Sequence, residues 1–337
     1  MCVKTSEDLP DWSTEFCSAV DAARDDVAAG LELARTFGRS FPAPGSGATA
    51  VRWRLLALAG SIDLTAARIL EAHTDALAIL AEAGEPPPDG TWGVFAAEMP
   101  NVHLDATGAD DATTLTGTKP WCSLGGVLDH ALVTAHTPDG RRLFAVDLHQ
   151  PSVTADDPAR WVARGLAHVT SAPVTFDATP ARPVGAAGWY LERDGFAWGG
   201  LGVAACWYGG ALGLYRTLAA ALDRKDGDLA RLHVGTVDAA LHGAAATLAQ
   251  AAAAVDRGEA RGPAGELLAL RVRAVVADAV ERTLRQVGHA LGPAPLAFDD
   301  EHARRVADLE LYVRQHHAER DLAALGTARR GAEVTAR

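Results

Sequence analysis

From the amino terminus, apolar positions recur at helical spacing: Phe16, Val20 and Ala23 share one face, and Val27, Leu31 and Ala34 another. Helices are expected from about Asp11 to Glu85, with a loop over Phe41–Thr49. The Ala- and Leu-rich run Val51–Ala83 breaks near Gly60-Ser61, where Ser61 or Asp63 suits the cap of a second helix. On that helix Glu71, His73, Asp75 and Glu82 read as a salt-linked, solvated face. The sequence Glu85-Pro86-Pro87-Pro88-Asp89-Gly90 is punctuation, and beyond it the pattern shortens. Thr91–Ala97, Leu115–Thr118, Ala131–His136, Leu143–Leu148 and Pro173–Phe176 read as short strands, some separated by turns such as Pro138-Asp139-Gly140. Gly117 is read as a turn and Lys119–Ser123 as a further short strand. A β-barrel or sandwich is expected here. From about Gly195 the helical texture returns. Helices are expected over roughly Val203–Asp223, Leu229–Val255 and Gly265–Leu291, with a loop at Gly258–Gly265. A final helix is expected over about Asp299–Leu325, with Gly326–Arg337 as a frayed tail. The whole is α+β: a helical domain (residues 1–90), a central β-domain (91–190) and a helical bundle (195–337).

Composition narrows the function. A net charge of −12 disfavours nucleic acid and anionic membranes, both of which attract basic surfaces. Cys2, Cys17, Cys122 and Cys206 show no C-x-x-C spacing, consistent with a reducing cytoplasm. The start, MCVKTSEDLPDW, has no apolar signal core, and no apolar run is long enough to span a bilayer. The histidines show no metal-binding spacing, and neither a phosphate-binding P-loop nor a G-x-G-x-x-G after a strand is present.

The most informative stretch is Leu115–Ala135, LTGTKPWCSLGGVLDHALVTA. Gly117-Thr118-Lys119-Pro120-Trp121-Cys122-Ser123 resembles the "G-x-K-x-W-[IC]-[TS]" strand of the acyl-CoA dehydrogenase superfamily. In that family the Trp packs on the isoalloxazine ring of FAD and the hydroxyl two residues later bonds the ring near N5. The resemblance therefore implies that Trp121 and Ser123, with Cys122 between them, hold FAD. An aromatic face offers apolar contact to a planar ring, and a hydroxyl can donate or accept without charge. Trp92–Ala96 resembles the family strand whose backbone meets the flavin pyrimidine and the substrate thioester, which implies contacts from Val94 and Ala96. Phe144–Asp147 and Pro173–Asp177 with Pro183–Gly185 resemble later strands, and Gly209–Gly213 the glycine-rich helix opening the bundle. Close helix crossing explains those glycines equally well.

The departures bear on chemistry. Ala204 stands where the family has an Arg, and Val203 where some members keep the catalytic Glu. Most members carry that Glu near the C-terminus in "Y-E-G-T"; an ungapped count places His316 there. The "R-x-x-F-G" segment that helps hold the FAD pyrophosphate is missing, and Asp226–His233 occupies its region. Adjacent helical residues point about 100° apart, so only one of His316 and His317 can face a site.

Dehydrogenation of an acyl thioester needs a base for the α-proton while flavin N5 takes the β-hydride. His316 is the first candidate base, with Glu319 and Glu192 behind it. The resemblance thus implies an FAD-dependent oxidoreductase acting on an acyl thioester or related small molecule, with an electron-transfer partner, as a homodimer or tetramer. A second reading is a flavin-dependent monooxygenase of the same superfamily, supplied by a flavin reductase. A third is an inactive binding or structural homologue.

Overall fold

The computed structural model describes residues 9–109, 112–224 and 226–335; the first eight residues, Cys2 included, lie outside it. Four helices lead: α1 (Ser13–Ala22), α2 (Val27–Phe37), α3 (Thr49–Ile62) and α4 (Leu64–Glu82). Asp63 caps α4, accepting the Ala66 amide at 2.8 Å, while the Ser61 hydroxyl donates back to Leu58 O. Of the four residues expected on a solvated face, only Glu82 is exposed. Leu64, Ala66, Ala67, Ile69, Leu70, Ala76, Ile79 and Leu80 bury α4 nearly all round, and Glu71 and His73 are buried with them. His73 Nδ1 accepts the Trp92 amide at 3.2 Å, and burial pushes its pKa down to about 4, so the ring is neutral. Glu82 pairs with Arg193.

Eight strands form one curled mixed sheet: β1 (Trp92–Phe95), β2 (Leu104–Thr107), β3 (Thr114–Lys119), β4 (His130–Thr137), β5 (Gly140–Asp147), β6 (Val153–Ala155), β7 (Val174–Pro180) and β8 (Arg182–Val184). Their order is β6-β7-β3-β2-β4-β5-β8, and β1 lies parallel to β4 with Val94 opposite Leu132. Two expectations are corrected here. Gly117 is no turn: it lies within β3 at φ +124°, at a register shift against β7, where a Cβ would stand 2.4 Å from His103 O. The strand expected over Lys119–Ser123 is absent, since β3 ends at Lys119 and the chain turns.

The carboxyl-terminal part contains α5 (Trp189–Glu192), α6 (Asp194–Arg224), α7 (Asp228–Asp256), α8 (Gly262–Leu291), α9 (Pro293–Phe298), α10 (Asp300–Tyr312) and α11 (Glu319–Thr335). Helix α6 packs against α3, α4, α7, α8 and α10, which makes it the central post. At its crossing with α3 the backbones touch. A Cβ at Gly209 would lie 2.2 Å from Ala57 O, and one at Gly60 2.6 Å from Cys206 O. Gly209→Ala is expected to destabilise the protein by about 1–3 kcal/mol in urea unfolding, because backbone cannot yield as a side chain can. A cost below about 0.5 kcal/mol would show that the helices can part freely.

The single helix expected over Asp299–Leu325 is two. It stops at Tyr312, makes a tight turn over Val313–Gln315, is extended at His316 (φ −86°, ψ 117°) and passes Ala318 at φ +46°. Asp321 fixes the restart by accepting the His317 amide at 3.0 Å. The expected frayed tail is helical as far as Thr335, and Arg337 lies outside the described residues. Among the described residues no helix is long and apolar enough to cross a membrane.

Candidate functional site

Strand β3 carries Lys119 into the interior, where Nζ donates to Glu98 Oε1 at 2.6 Å and Thr134 Oγ1 at 2.9 Å. The chain then reverses through two left-handed residues, Trp121 (φ +58°) and Leu124 (φ +59°). Cys122 points inward: it is buried, its Sγ donates to Lys119 O at 3.2 Å, and desolvation pushes its thiol pKa up. Trp121 stands out from the fold instead. Its indole is 50% exposed and meets Trp161 edge to face, with ring centroids 6.3 Å apart. A large aromatic residue in the left-handed region costs on the order of 1 kcal/mol. Half-exposure forgoes much of the burial that could offset this.

Ser123, between the two left-handed residues, joins the sheet to the helices. Its Oγ lies 2.9 Å from Ser171 Oγ and accepts from Arg68 Nη2 at 3.3 Å. Arg68 Nη1 pairs with Glu71 Oε2, which also accepts from Tyr312 Oη at 3.1 Å. The Arg68 guanidinium lies 6.0 Å from the Tyr312 ring centroid. A polar seam therefore runs from Ser171 and Ser123 through Arg68 and Glu71 on α4 to Tyr312 on α10. Sequence reasoning passed over Arg68 and Ser171, gave Tyr312 no role, and read Glu71 as part of a solvated face. The signal available was the spacing of Arg68, Glu71 and Asp75 on one face of an otherwise apolar helix.

The candidate bases separate. His316 is buried, its Nε2 has no partner among the described residues, and burial lowers its pKa, so the imidazole is neutral at pH 7. His317 is exposed and pairs with Asp321. Glu319 is exposed at the first turn of α11, and Glu192 is exposed at the end of α5. Among the described residues no hydrogen bond or ion pair joins either glutamate to Trp121, Ser123 or His316. Val94 and Ala96 pack with the core group around Ile79, Trp92 and Leu132, and Ala96 O accepts from Arg141 Nη2 at 2.9 Å. Among the described residues no group of three or more His, Cys, Asp and Glu is placed to hold a metal.

The segment bearing both Trp161 and Ser171 is fastened to α10. Asp308 Oδ1 accepts the Leu166 amide at 2.5 Å, and a Cβ at Gly165 would lie 2.0 Å from Ala307 O. Desolvation first, with Asp63 and Asp25 nearby, pushes the Asp308 pKa up to about 6; the Leu166 amide and Arg304 oppose it. The folded state thus holds this proton more tightly than the unfolded chain, so the group's contribution to stability falls as pH rises from about 4 through about 6. Asp308→Asn is expected to flatten stability between about pH 4 and pH 6, read by urea unfolding at each pH. An unchanged slope would place the titration elsewhere.

No family model matches the sequence, and no curated protein matches it. Solved structures do match the fold. KijD3, in complex with FMN and dTDP-3-amino-2,3,6-trideoxy-4-keto-3-methyl-D-glucose, superposes with a TM-score of 0.77 at 16% identity, over 96% of this chain and 92% of that one. FMN-bound TdsC from Paenibacillus sp. A11-2 gives 0.78 at 16% identity, over 94% and 95%. Butyryl-CoA dehydrogenase from Megasphaera elsdenii gives 0.78 at 16% identity, over 96% and 99%. Helices before and after a curled sheet, matched over nearly the full length of these chains, show that this chain has the acyl-CoA dehydrogenase fold.

Proposed function

We propose that the protein is a flavin-dependent oxidoreductase, and within that class a monooxygenase that receives reduced flavin from a separate reductase. One observation carries the flavin assignment: the half-exposed, left-handed Trp121 beside the Ser123 hydroxyl. An exposed indole edged by Trp161 fits the face of a planar ring, and Ser123, which accepts from Arg68 and shares a hydrogen bond with Ser171, sets a hydroxyl beside it. FAD is implied by the sequence resemblance. The mononucleotide FMN is favoured by the missing pyrophosphate-binding segment, and the matched KijD3 and TdsC structures contain FMN.

The choice between reactions rests on the base. Acyl-thioester dehydrogenation requires a free one, whereas the buried carboxylate on this seam, Glu71, is already bonded to Arg68 and Tyr312. His316, with its lowered pKa, is a weak base but a neutral group able to give or take a hydrogen bond at Nε2. Reduced flavin, when bound, supplies electrons to dioxygen without α-proton abstraction. Trp121 and Trp161 would hold the ring, Ser123 would fix its edge, Arg68 would place that hydroxyl, and His316 would move a proton. A homodimer or tetramer, read by light scattering, belongs to the same proposal.

The test is rapid mixing of FMN, reduced anaerobically, with aerated buffer in the presence and absence of protein. Oxidation is expected to follow protein-dependent kinetics that His316→Ala alters. Identical traces with and without protein would overturn the proposal. Bleaching of bound oxidised flavin by acyl-CoA alone would move the protein to the dehydrogenase reading.

A further inference from the structure

Arg273 on α8 lies where three parts of the chain meet. Its Nη1 donates to Gly200 O on α6 at 2.8 Å, and its Nη2 donates to Gln315 O, in the turn after α10, at 2.8 Å. Its guanidinium lies 4.7 Å from the Trp207 ring centroid. Among the described residues no carboxylate lies within ion-pair distance of it. The acidic groups it senses, Asp321 and Glu71, are engaged with His317 and with Arg68 and Tyr312. A guanidinium has five N–H donors, and two here reach carbonyls. The guanidinium is only partly buried, and among the described residues its other N–H groups make no hydrogen bond.

Its neighbours lack the same thing. Trp207 is fully buried, and its Nε1–H, which can only donate, has no acceptor among the described residues. His316 follows the residue whose carbonyl Arg273 holds; it is 8% exposed, and its Nε2 has no partner. An unmatched cation and two buried, unpartnered ring nitrogens thus gather at one junction of α6, α8 and the turn after α10. An acceptor of negative charge would complete the cation and the indole N–H, and would suit His316 in the tautomer that carries its proton on Nε2. Tyr312, on the polar seam, lies against the same indole, with ring centroids 6.4 Å apart, so the junction continues from the Ser123 site.

We infer that Arg273, Trp207 and His316 form a binding site for a small oxyanion head group of the carboxylate class, and that this group belongs to the substrate. Guanidinium and carboxylate match in shape and charge, and the pairing is stronger out of bulk water. The inference rests on the flavin reading only in calling the anion a substrate; the binding itself does not.

The experiment is calorimetric titration of flavin-free protein with acetate and benzoate, using acetamide and benzamide as neutral counterparts. Saturable binding of at least one acid, and of neither amide, is expected. Arg273→Met is expected to weaken it about 10–100-fold, the loss of charge-assisted hydrogen bonds. Arg273→Met also loses the bonds to Gly200 and Gln315, so Trp207→Phe is the second variant. It removes the indole N–H, keeps an aromatic face under the guanidinium, and is expected to weaken binding several-fold. Absence of acid binding to the wild type, as when water alone fills the junction, overturns the inference, as does equal binding of acids and amides or by both variants. Flavin titrated in parallel separates the two claims. Flavin binding without acid binding sinks this inference alone, and acid binding without flavin binding sinks the flavin reading and the naming of the anion as substrate while the anion site stands.

Discussion

Trp121→Ala is expected to weaken flavin binding about 10–100-fold while leaving the fold intact. The affinity loss follows from removing the apolar face against which the ring would stack, a contact worth roughly 1–3 kcal/mol. The fold should tolerate the change because the indole is 50% exposed and its described ring contact is the edge of Trp161. Backbone strain provides an internal control. At φ +58° glycine suffers none, so Trp121→Gly is expected to be more stable than Trp121→Ala by up to about 1 kcal/mol while losing flavin equally. Fluorescence quenching of FMN gives the affinities, and urea unfolding gives the stabilities. A Trp121→Ala protein that bound flavin like the wild type would remove the shelf from the account.

Glu71→Ala should act in the opposite way, on stability first. Glu71 Oε2 accepts from both Arg68 and Tyr312, and the two side chains of the ion pair are only 14% and 9% exposed. Its removal leaves a desolvated guanidinium and a buried phenol without their acceptor. Breaking one side of such a pair costs about 3–5 kcal/mol. Glu71→Gln keeps an acceptor for Tyr312 and should cost less. The double variant Arg68→Met, Glu71→Leu should recover part of the loss, because neither charge is then stranded. Urea unfolding of the three variants checks the order, and a Glu71→Ala cost below about 1 kcal/mol would show that water reaches the seam.

What the sequence made legible was local. Alternating and helical periods located the helices of both ends and most strands, whereas the short run around Trp121, read as a strand, is a chain reversal. Three features escaped for physical reasons. Charges on α4 at Arg68, Glu71 and Asp75 have the same spacing whether they face water or a buried seam, and only packing by other elements decides. The Glu71–Tyr312 bond spans 241 positions of sequence, so no local pattern encodes it. At the break by His316 a side chain, Asp321, takes a backbone amide that a continuous helix would have used internally, and the left-handed Ala318 turns the chain. That break is also what allows His316 to be buried and His317 exposed, a separation that helical geometry alone left undecided between the two.

The central claim is that the surface formed by Trp121 and Ser123 receives a flavin ring. Titrating the wild-type protein with oxidised FMN and following the visible absorption spectrum tests it most directly. The account predicts a saturable shift of the flavin bands with one flavin per chain, abolished in Trp121→Ala. A spectrum identical to that of free FMN at every protein concentration, with FAD giving the same result, would contradict it.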